Sequence, residues 1–249
     1  MSEIHNKDDE ENKDKNIKSL QPDISKDIEI KELVFQYEGP YSKKVLNDIN
    51  LTIPEGKVTA IVGGASGSGK TTLIKLLLGN YSPVEGTVDV GNEPLSQFNL
   101  TWWRTQCGAV MQDGYIFSES IARNIAVSED EIDIKRLRDA AQIANIDDFV
   151  SGLPLGYNTV VGQEGQGISQ GQRQRILIAR AVYKNPQFIF LDEATNALDA
   201  NNEKVILDNL NEFYKGKTVV VVAHRLSTVK NADQIVVLDN GEIVERGNS

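Results

Sequence analysis

A glycine-rich stretch at residues 64–71, Gly-Ala-Ser-Gly-Ser-Gly-Lys-Thr, has the residue types needed to hold a phosphate group. It fits the pattern G-x-x-x-x-G-K-S/T, between an apolar β-branched run at residues 58–62 and a helix-forming segment at residues 71–78. Glycines let backbone N–H groups wrap phosphate oxygens, and the helix start adds the positive end of its dipole. Lys70 would reach the β- and γ-phosphates of a nucleotide, and the Thr71 hydroxyl would hold Mg²⁺. The alternative is a glycine-rich turn with a surface lysine, and the flanking strand and helix patterns favour the nucleotide.

Two adjacent carboxylates, Asp192 and Glu193, follow an apolar run at residues 188–191. A buried strand of this kind delivers its last side chain to the edge where open α/β folds bind ligands. Asp192 is therefore expected to hold the water shell of Mg²⁺, and Glu193 to orient or deprotonate an attacking water. The alternative is an acidic pair in a solvated turn, and the glycine-rich stretch upstream favours the catalytic interpretation.

Composition argues against several other functions. The 249 residues carry a formal net charge of -10, which disfavours a nucleic-acid backbone as the main partner because such binding relies on lysine and arginine. The single cysteine, Cys107, cannot form an internal disulfide, and no cysteine and histidine cluster has zinc-site spacing. The longest apolar runs, such as residues 219–223, are far shorter than the ~20 residues of a membrane span. No secretory signal is visible, so we expect folding in the cytosol.

The order of strand and helix patterns predicts an α/β fold. Residues 1–27 are almost wholly polar, which predicts a disordered tail or linker, and folding should begin near Ile28. Alternating apolar residues broken by a Gly-Pro turn predict strands within residues 28–51. Helical spacing predicts a helical insertion within residues 118–151 and a further helix at residues 174–183. Strands at residues 58–62, 87–90, 107–111, 188–191, 218–223 and 234–238 alternate with these helices, which predicts a mainly parallel sheet with helices on both faces.

Six motifs in a fixed order resemble those of ABC ATPases, and the resemblance covers nearly everything from Ile28 to Gly247. Such an ordered set is very hard to obtain by chance. The motifs are the Walker A loop ending at Lys70, the Q-loop at Gln112, the signature Ile168-Ser169-Gln170-Gly171-Gln172, the Walker B pair Asp192-Glu193, the D-loop Asn196-Ala-Leu-Asp199 and the H-loop at His224.

The resemblance implies a P-loop NTPase fold of the RecA-like type, with an N-terminal antiparallel β subdomain and an inserted α-helical subdomain. The core is expected at residues 28–112 and 168–249, and the helical subdomain at about residues 113–167. ATP and Mg²⁺ are the implied cofactors, and Tyr37 would stack on adenine, with Tyr41 as the alternative. The implied ATP-binding residues are Tyr37, Gly64, Ser66, Gly67, Ser68, Gly69, Lys70, Thr71, Thr72 and Gln112; the metal ligands are Thr71, Gln112 and Asp192; the catalytic residues are Glu193 and His224.

The signature further implies that the domain works as a head-to-tail pair around two ATP molecules. In the family its serine and glycine contact the γ-phosphate of the ATP held by the partner subunit, from the start of a helix. This chain carries Gln170 where glycine is common. The residues implied to contact the partner's ATP are Ser169, Gly171, Gln172 and Asp199.

Three other stretches, residues 118–124, 161–165 and 224–228, resemble exporters in particular. In exporters the second of them senses the transmembrane domain, so we expect that domain as a partner and a position on the cytoplasmic side of the cell membrane. The signature wording is most similar to exporters with an N-terminal peptidase domain that secrete small peptides. The competing classes are a non-transport ABC ATPase and a degenerate domain that binds ATP as a structural partner without hydrolysing it.

Gly63 is an additional residue relative to the family pattern. When the motif is read back from Lys70, Gly64 takes its first position and Gly63 lies between strand and loop. We predict a local bulge at these two glycines, because glycine adopts positive φ without steric penalty, with residues 66–71 still in phosphate-binding form. The alternative is that the extra residue loosens the phosphate cradle.

Overall fold

The computed structural model describes residues 17–21, 23–63, 67–127, 129–163 and 165–248. It divides into a first unit, residues 1–107 with 216–249, and a second unit, residues 108–215. In chain order the elements are β1 (Ile28–Phe35), β2 (Leu46–Ile53), β3 (Val58–Val62), α1 (Lys70–Leu77), β4 (Glu85–Val90), β5 (Glu93–Pro94), α2 (Leu100–Gln106), β6 (Cys107–Val110), α3 (Ile121–Ile125), α4 (Ile134–Ile143), α5 (Asp147–Ser151), α6 (Gln170–Lys184), β7 (Phe188–Asp192), α7 (Ala200–Phe213), β8 (Thr218–Ala223), α8 (Leu226–Val229), β9 (Gln234–Asp239) and β10 (Glu242–Gly247).

An antiparallel sheet in the first unit has the strand order β2-β1-β4-β5. Along β2, Ile49, Leu51 and Ile53 are buried while the residues between them are exposed. This alternation is typical of a sheet that buries one face and exposes the other. It forms the N-terminal antiparallel part that the sequence pattern predicted.

The other strands of the first unit follow the order β10-β9-β3-β8. Strand β3 pairs in parallel with β8 on one side and with β9 on the other. Its residues Ala60 and Ile61 are fully buried, as are Val219 and Val220 of β8. Continuous apolar strands of this type belong in a sheet with both faces covered. Their parallel pairing brings the carboxyl ends of β3 and β8 to the same edge.

The second unit is largely helical and contains the neighbouring strands β6 and β7. Helix α6 packs against α3 and α4. Four helices in the described part of this unit begin at a side-chain cap: Ser120 for α3, Asp133 for α4, Ser169 for α6 and Asp199 for α7. Such caps satisfy backbone N–H groups that a helix start would otherwise leave unpaired. Two of these four capping residues belong to the predicted site.

The predicted elements are present, with shifted ends. Helix α6 begins at Gln170 rather than at residue 174, because the Ser169 cap starts the helix inside the signature. The predicted insertion is broken into α3, α4 and α5. Helix α4 ends before Asn145, whose φ of 54° lies in the left-handed region. No helix in the described part of the chain is both long and apolar enough to cross a membrane.

The predicted tail is only partly covered, because residues 1–16 and 22 lie outside the described ranges. Ile17 forms a β-bridge with Phe98, in which the Asn99 N–H donates to the Ile17 carbonyl at 3.0 Å. The second unit holds β7, α6 and α7 together with the predicted helical insertion. The boundaries proposed for the helical subdomain stay a prediction.

Candidate nucleotide-binding site

The described end of the loop between β3 and α1, residues 67–69, has a backbone form that suits close approach of an anion. Gly67 and Gly69 have φ of 84° and 97°, in the left-handed region that favours glycine. A Cβ on Gly69 would lie 2.7 Å from Leu46 Cδ2 and 2.9 Å from the carbonyl oxygen of Val45, so no larger residue fits there. Gly69 also caps α1, so the N–H groups of the helix start lie directly after the loop. The site residues Gly64 and Ser66 lie outside the described residues.

Two polar side chains of the loop are buried. Lys70 is 5% exposed, and its ammonium donates a hydrogen bond of 3.0 Å to the carbonyl oxygen of Gly63. Ser68 is 3% exposed, and its hydroxyl has no hydrogen-bond partner among the described residues. A buried hydroxyl left without a partner costs about 1–3 kcal/mol, which an incoming acceptor oxygen would recover. The arrangement suits a phosphate group.

Position 63 requires glycine because there is no room for a side chain, and not because the backbone adopts a positive φ. Its φ is not among the positive values of the chain, so positive φ does not explain the glycine at position 63. The predicted bulge at Gly63 and Gly64 stays a prediction, because Gly64 lies outside the described residues. The pairing of β3 with β8 continues without a register shift as far as Val62 and Ala223. A Cβ at Gly63 would overlap the carbonyl oxygen of Leu238 and come within 3.3 Å of Lys70 Nζ. The extra glycine therefore lies against the loop lysine.

Tyr37 has the geometry of a base-stacking residue. Its hydroxyl shares a 2.6 Å hydrogen bond with Thr72 Oγ1, while 52% of its surface stays exposed. The ring packs edge-on against Phe35 and Tyr81, at centroid distances of 4.9 and 5.4 Å. Tyr41 is fully exposed. The fixed ring of Tyr37 favours it over Tyr41, and Tyr81 is a supporting residue that no sequence motif indicated.

His224 lies at the same sheet edge as the loop. It directly follows Ala223, which pairs with Val62 of β3, and its side chain is exposed. Thr71 and Thr72 belong to the first turn of α1. The first unit thus brings together Tyr37, Gly67, Ser68, Gly69, Lys70, Thr71, Thr72 and His224 around the carboxyl edge of β3 and β8.

The second unit places the carboxylate pair at the end of β7. Asp192 is the last residue of the strand and is 1% exposed. Glu193 follows it with φ of 50°, a left-handed conformation that costs a residue other than glycine roughly 1–3 kcal/mol and is common at functional sites. The side-chain amide of Gln112 donates to Glu193 Oε2 at 2.5 Å. Glu193 and Gln112, predicted from separate motifs, are therefore in direct contact.

Gln174 is a site residue that sequence analysis missed. From α6 its amide nitrogen donates to the Asn196 side chain and to the Glu193 carbonyl, and its oxygen accepts from the Ala197 N–H at 3.0 Å. These bonds hold the turn between the Walker B and D-loop residues. Its only sequence signal is its place two residues after the signature.

The signature residues form the start of α6. The Ser169 hydroxyl accepts from the Gln172 N–H at 3.1 Å, and the Gln172 side chain accepts from the Ser169 N–H at 2.9 Å. Ser169 and Gln170 are exposed, and Gly171 is partly so. The exposed helix start carries the positive end of the helix dipole and suits an anion supplied from outside the domain.

Asp199 caps α7 in the same unit. It accepts from the backbone N–H of Asn202 at 2.9 Å and from the Asn202 side chain at 2.7 Å. These bonds from Asn202, the backbone one first, hold the pKa of Asp199 below its ordinary value of 3.8. Asp199 is therefore an anion at neutral pH.

Asn124 and Arg180 anchor the exporter-like segment at residues 118–124. Asn124 is fully buried, and its side chain bonds the N–H of Phe117 at 2.8 Å and the carbonyl of Phe117 at 3.0 Å. The Arg180 guanidinium donates to the Asn124 carbonyl at 2.7 Å. Burial, with the nearby charge of Arg173, lowers the pKa of Arg180 to about 10. Arg180 is a second structural contributor with no signal in the six motifs.

A glycine-rich loop between a parallel strand and a helix defines a P-loop nucleotide-binding protein. The family model described as ABC transporter matches residues 46–196, and the chain belongs to this family.

The similar proteins include translocation ATP-binding proteins and an ABC exporter of known structure. The leukotoxin translocation ATP-binding protein LktB of Mannheimia glucosida is 48% identical over 226 residues, 91% of this chain and 32% of that protein. The protein of the same name from Mannheimia haemolytica is 47% identical with the same coverage. The structure of a bacterial Atm1-family ABC exporter with ATP bound matches with a TM-score of 0.84 and 35% identity over 94% of this chain and 42% of that chain. The chain spans about a third of the length of the curated relatives that it matches.

These findings confirm the predicted family, the P-loop α/β fold and the similarity to ATP-binding domains of the exporter type. The roles of individual site residues remain predictions.

Proposed function

We propose that this chain is the ATP-hydrolysing domain that powers an exporter. Two copies would dimerise head to tail around two ATP molecules, and hydrolysis would separate them again. The observation that carries the proposal is the loop itself, where the buried Lys70 and the Ser68 hydroxyl, which has no hydrogen-bond partner among the described residues, lie beside the start of α1. A lysine, a hydroxyl and a helix start placed together suit an anion with several acceptor oxygens. The triphosphate of ATP is such an anion.

Binding would begin at the loop. Lys70 would exchange its bond to the Gly63 carbonyl for a charge-assisted bond to the β- and γ-phosphates, which is stronger. Ser68 would gain the partner that it lacks, and Tyr37 would present its exposed ring to adenine. The backbone around Gly64, Ser66, Gly67 and Gly69 and the hydroxyls of Thr71 and Thr72 would complete the phosphate contacts.

Mg²⁺ is the proposed metal cofactor. Thr71, Gln112 and Asp192 each offer an oxygen atom, the donor type that Mg²⁺ takes, and the buried Asp192 carboxylate suits a cation. When bound, Mg²⁺ neutralises charge that develops on the phosphate oxygens.

Hydrolysis would depend on Glu193 as the residue that orients or deprotonates the attacking water. Its contact with Gln112 supports this role, because an amide bonded to the carboxylate fixes the direction in which that carboxylate faces. His224 would contact the γ-phosphate and help to position the water.

The partner's ATP would be contacted by Ser169, Gly171, Gln172 and Asp199. Their position at the capped starts of α6 and α7 supports that role, because Ser169 and Asp199 are exposed and Gly171 and Gln172 are partly exposed. Gln170 would lie at the rim of this contact. A second copy of the domain and a transmembrane domain are the proposed partners.

Export of a peptide is the proposed function, on the cytoplasmic side of the cell membrane. The relatives named for leukotoxin translocation support a role in transport. The net charge of -10 supports the absence of a nucleic-acid partner.

The deciding experiment compares Glu193→Gln with Glu212→Gln, an exposed surface change on α7. Glu193→Gln should lose more than ~100-fold in ATP turnover, because a general base contributes ~10²–10⁴-fold. It should also accumulate as an ATP-dependent dimer in sedimentation analysis, while the control keeps wild-type turnover. A degenerate structural partner would show no turnover to lose and no such dimer, and that result would reject the proposal.

A further inference from the structure

A continuous chain of hydrogen bonds in the second unit connects the signature to the D-loop. Arg175 reaches back along α6 to the Gly171 carbonyl at 3.4 Å and also donates to the Asn145 carbonyl at 2.7 Å. The Asn145 side-chain amide donates to Asn202 Oδ1 at 2.8 Å. Asn202 in turn donates to Asp199 Oδ2 at 2.7 Å. The two ends, Gly171 and Asp199, are residues proposed to contact the same partner.

The middle of this chain is held firmly. Asn145 ends α4 with φ of 54°, a conformation that asparagine tolerates better than most residues. Burial lowers the pKa of Arg175, and the nearby Asp199 charge opposes that effect. A desolvated guanidinium is costly unless it is hydrogen-bonded, so Arg175 favours the arrangement in which the Asn145 carbonyl is its acceptor.

We propose that Asn145 and Asn202 are positioning residues that hold the signature and the D-loop in one fixed arrangement for the partner's nucleotide. The inference rests on the proposed head-to-tail function. Without this chain of hydrogen bonds, the signature and the D-loop would have to be ordered separately when the dimer forms, which would weaken dimerisation. ATP binding by the single copy depends on the loop after β3, which the chain of bonds does not include.

Asn209 provides a matched control. It lies seven residues after Asn202 on the same helix, is also half-buried, and also bonds the end of α4, through the Ile143 carbonyl at 3.1 Å. It does not take part in the chain from Gly171 to Asp199. A merely structural role for these tethers predicts similar effects from Asn202→Ala and Asn209→Ala.

The experiment measures ATP-dependent dimerisation in the Glu193→Gln background by sedimentation, with nucleotide affinity and melting temperature recorded for each variant. Asn202→Ala should weaken dimerisation roughly tenfold, the effect of losing one or two hydrogen bonds, with ATP affinity of the single copy unchanged. Asn145→Asp, which keeps the shape and the tolerance for positive φ but removes the N–H donor, should do the same. Asn209→Ala should stay within about twofold of the parent, the level expected for a change outside the chain of bonds.

If Asn202→Ala and Asn209→Ala both dimerised as strongly as the parent, the inference would be overturned and the proposed function would still stand. Equal weakening by both would also overturn it, because the effect would then follow from loss of any tether between α7 and α4. Absence of ATP-dependent dimers in the Glu193→Gln parent itself would instead reject the proposed function, and this inference with it.

Discussion

The ammonium group of Lys70 and the carbonyl oxygen of Gly63 form a 3.0 Å hydrogen bond across the phosphate-binding loop. The bond keeps a buried cation satisfied while no phosphate is present, and unpaired burial of such a charge is expensive. It also holds the lysine beside the helix start, where the phosphate is expected. The Lys70 side chain is therefore held in place by the fold itself, which lowers the cost of ordering that side chain on binding.

Lys70→Ala should abolish ATP hydrolysis and weaken nucleotide binding by roughly 1.5–3 kcal/mol, the scale of a hydrogen bond to a charged group. The reason is that the triphosphate loses its main positive partner. Calorimetric titration with ATP, together with a phosphate-release assay, measures both effects. Lys75→Ala, on the same helix and half-buried, should retain both activities. Undiminished turnover in Lys70→Ala would contradict the assignment of this loop.

Gly63→Ala should destabilise the domain by about 1–3 kcal/mol, the typical cost of overpacking. The added methyl group overlaps the Leu238 carbonyl and presses on Lys70 Nζ, so ATP affinity should fall as well. Urea unfolding and ATP titration give the two values. Gly39→Ala is the control, because no atom lies within 4 Å of its added Cβ. Wild-type stability in Gly63→Ala would contradict the expected clash, because β9 would then have moved to make room for the methyl group.

The same two residues show what sequence reasoning could and could not reach. Lys70 was identifiable because its chemistry requires a fixed residue type at a fixed spacing from glycines, strand and helix. The bond to Gly63 was not, because a backbone carbonyl is present in every residue and carries no sequence signal. From the sequence, positive φ was the available explanation for the extra glycine. The close approach of the Leu238 carbonyl to Gly63 could not be predicted, because it depends on how β9 lies beside β3.

In the second unit, too, motif residues could be predicted from the sequence and tertiary contacts could not. The signature and the acidic pair could be predicted, and the capping box at Ser169 is visible as a serine followed three residues later by glutamine. The contact between Asn145 and Asn202 joins positions 57 residues apart, neither of which belongs to a motif. Such contacts depend on tertiary packing, and one sequence alone gives no means to pair them.

Tyr37→Ala should weaken ATP binding by about 1–3 kcal/mol, the usual value of one aromatic ring stacked on a base. Tyr37→Phe should bind nearly as well as wild type, since it keeps the ring and loses only the bond to Thr72. Tyr41→Ala should have no effect, because that ring is fully exposed. Fluorescent-nucleotide titration of the three variants decides between the two tyrosines. A loss confined to Tyr41→Ala would reverse the assignment.

Ser169→Arg should leave ATP binding by the single copy nearly intact and prevent both dimerisation and turnover. The exposed serine caps α6, and a long cation there removes the cap and blocks the approach of a partner's nucleotide. Loss of the cap should also cost about 0.5–2 kcal/mol of stability, which Ser169→Ala reproduces without the bulk. ATP titration and sedimentation analysis separate the two effects. If Ser169→Arg lost ATP binding as a single copy, the head-to-tail model would be wrong.

Tyr157→Phe should destabilise the domain in a pH-dependent manner through Asp147. Burial opposes ionisation of Asp147, but hydrogen bonds from Tyr157, Arg138 and Gln142 outweigh it, and the pKa of Asp147 lies below its ordinary value of 3.8. A carboxylate with a depressed pKa contributes stability above the unfolded value and loses it as the pH falls through the folded value.

Removing the Tyr157 donor should therefore cost about 1.5–3 kcal/mol at pH 7, the range for a hydrogen bond to a charged group. The difference from wild type should shrink as the pH falls from 3.8 through the lower pKa of folded Asp147, below which Asp147 is protonated in both proteins. Urea unfolding at pH 7 and at a pH below 3.8 measures this difference, and Tyr115→Phe, with its exposed ring, should show none at either pH. A Tyr157→Phe deficit of equal size at both values would mean that the lost interaction does not depend on the Asp147 charge.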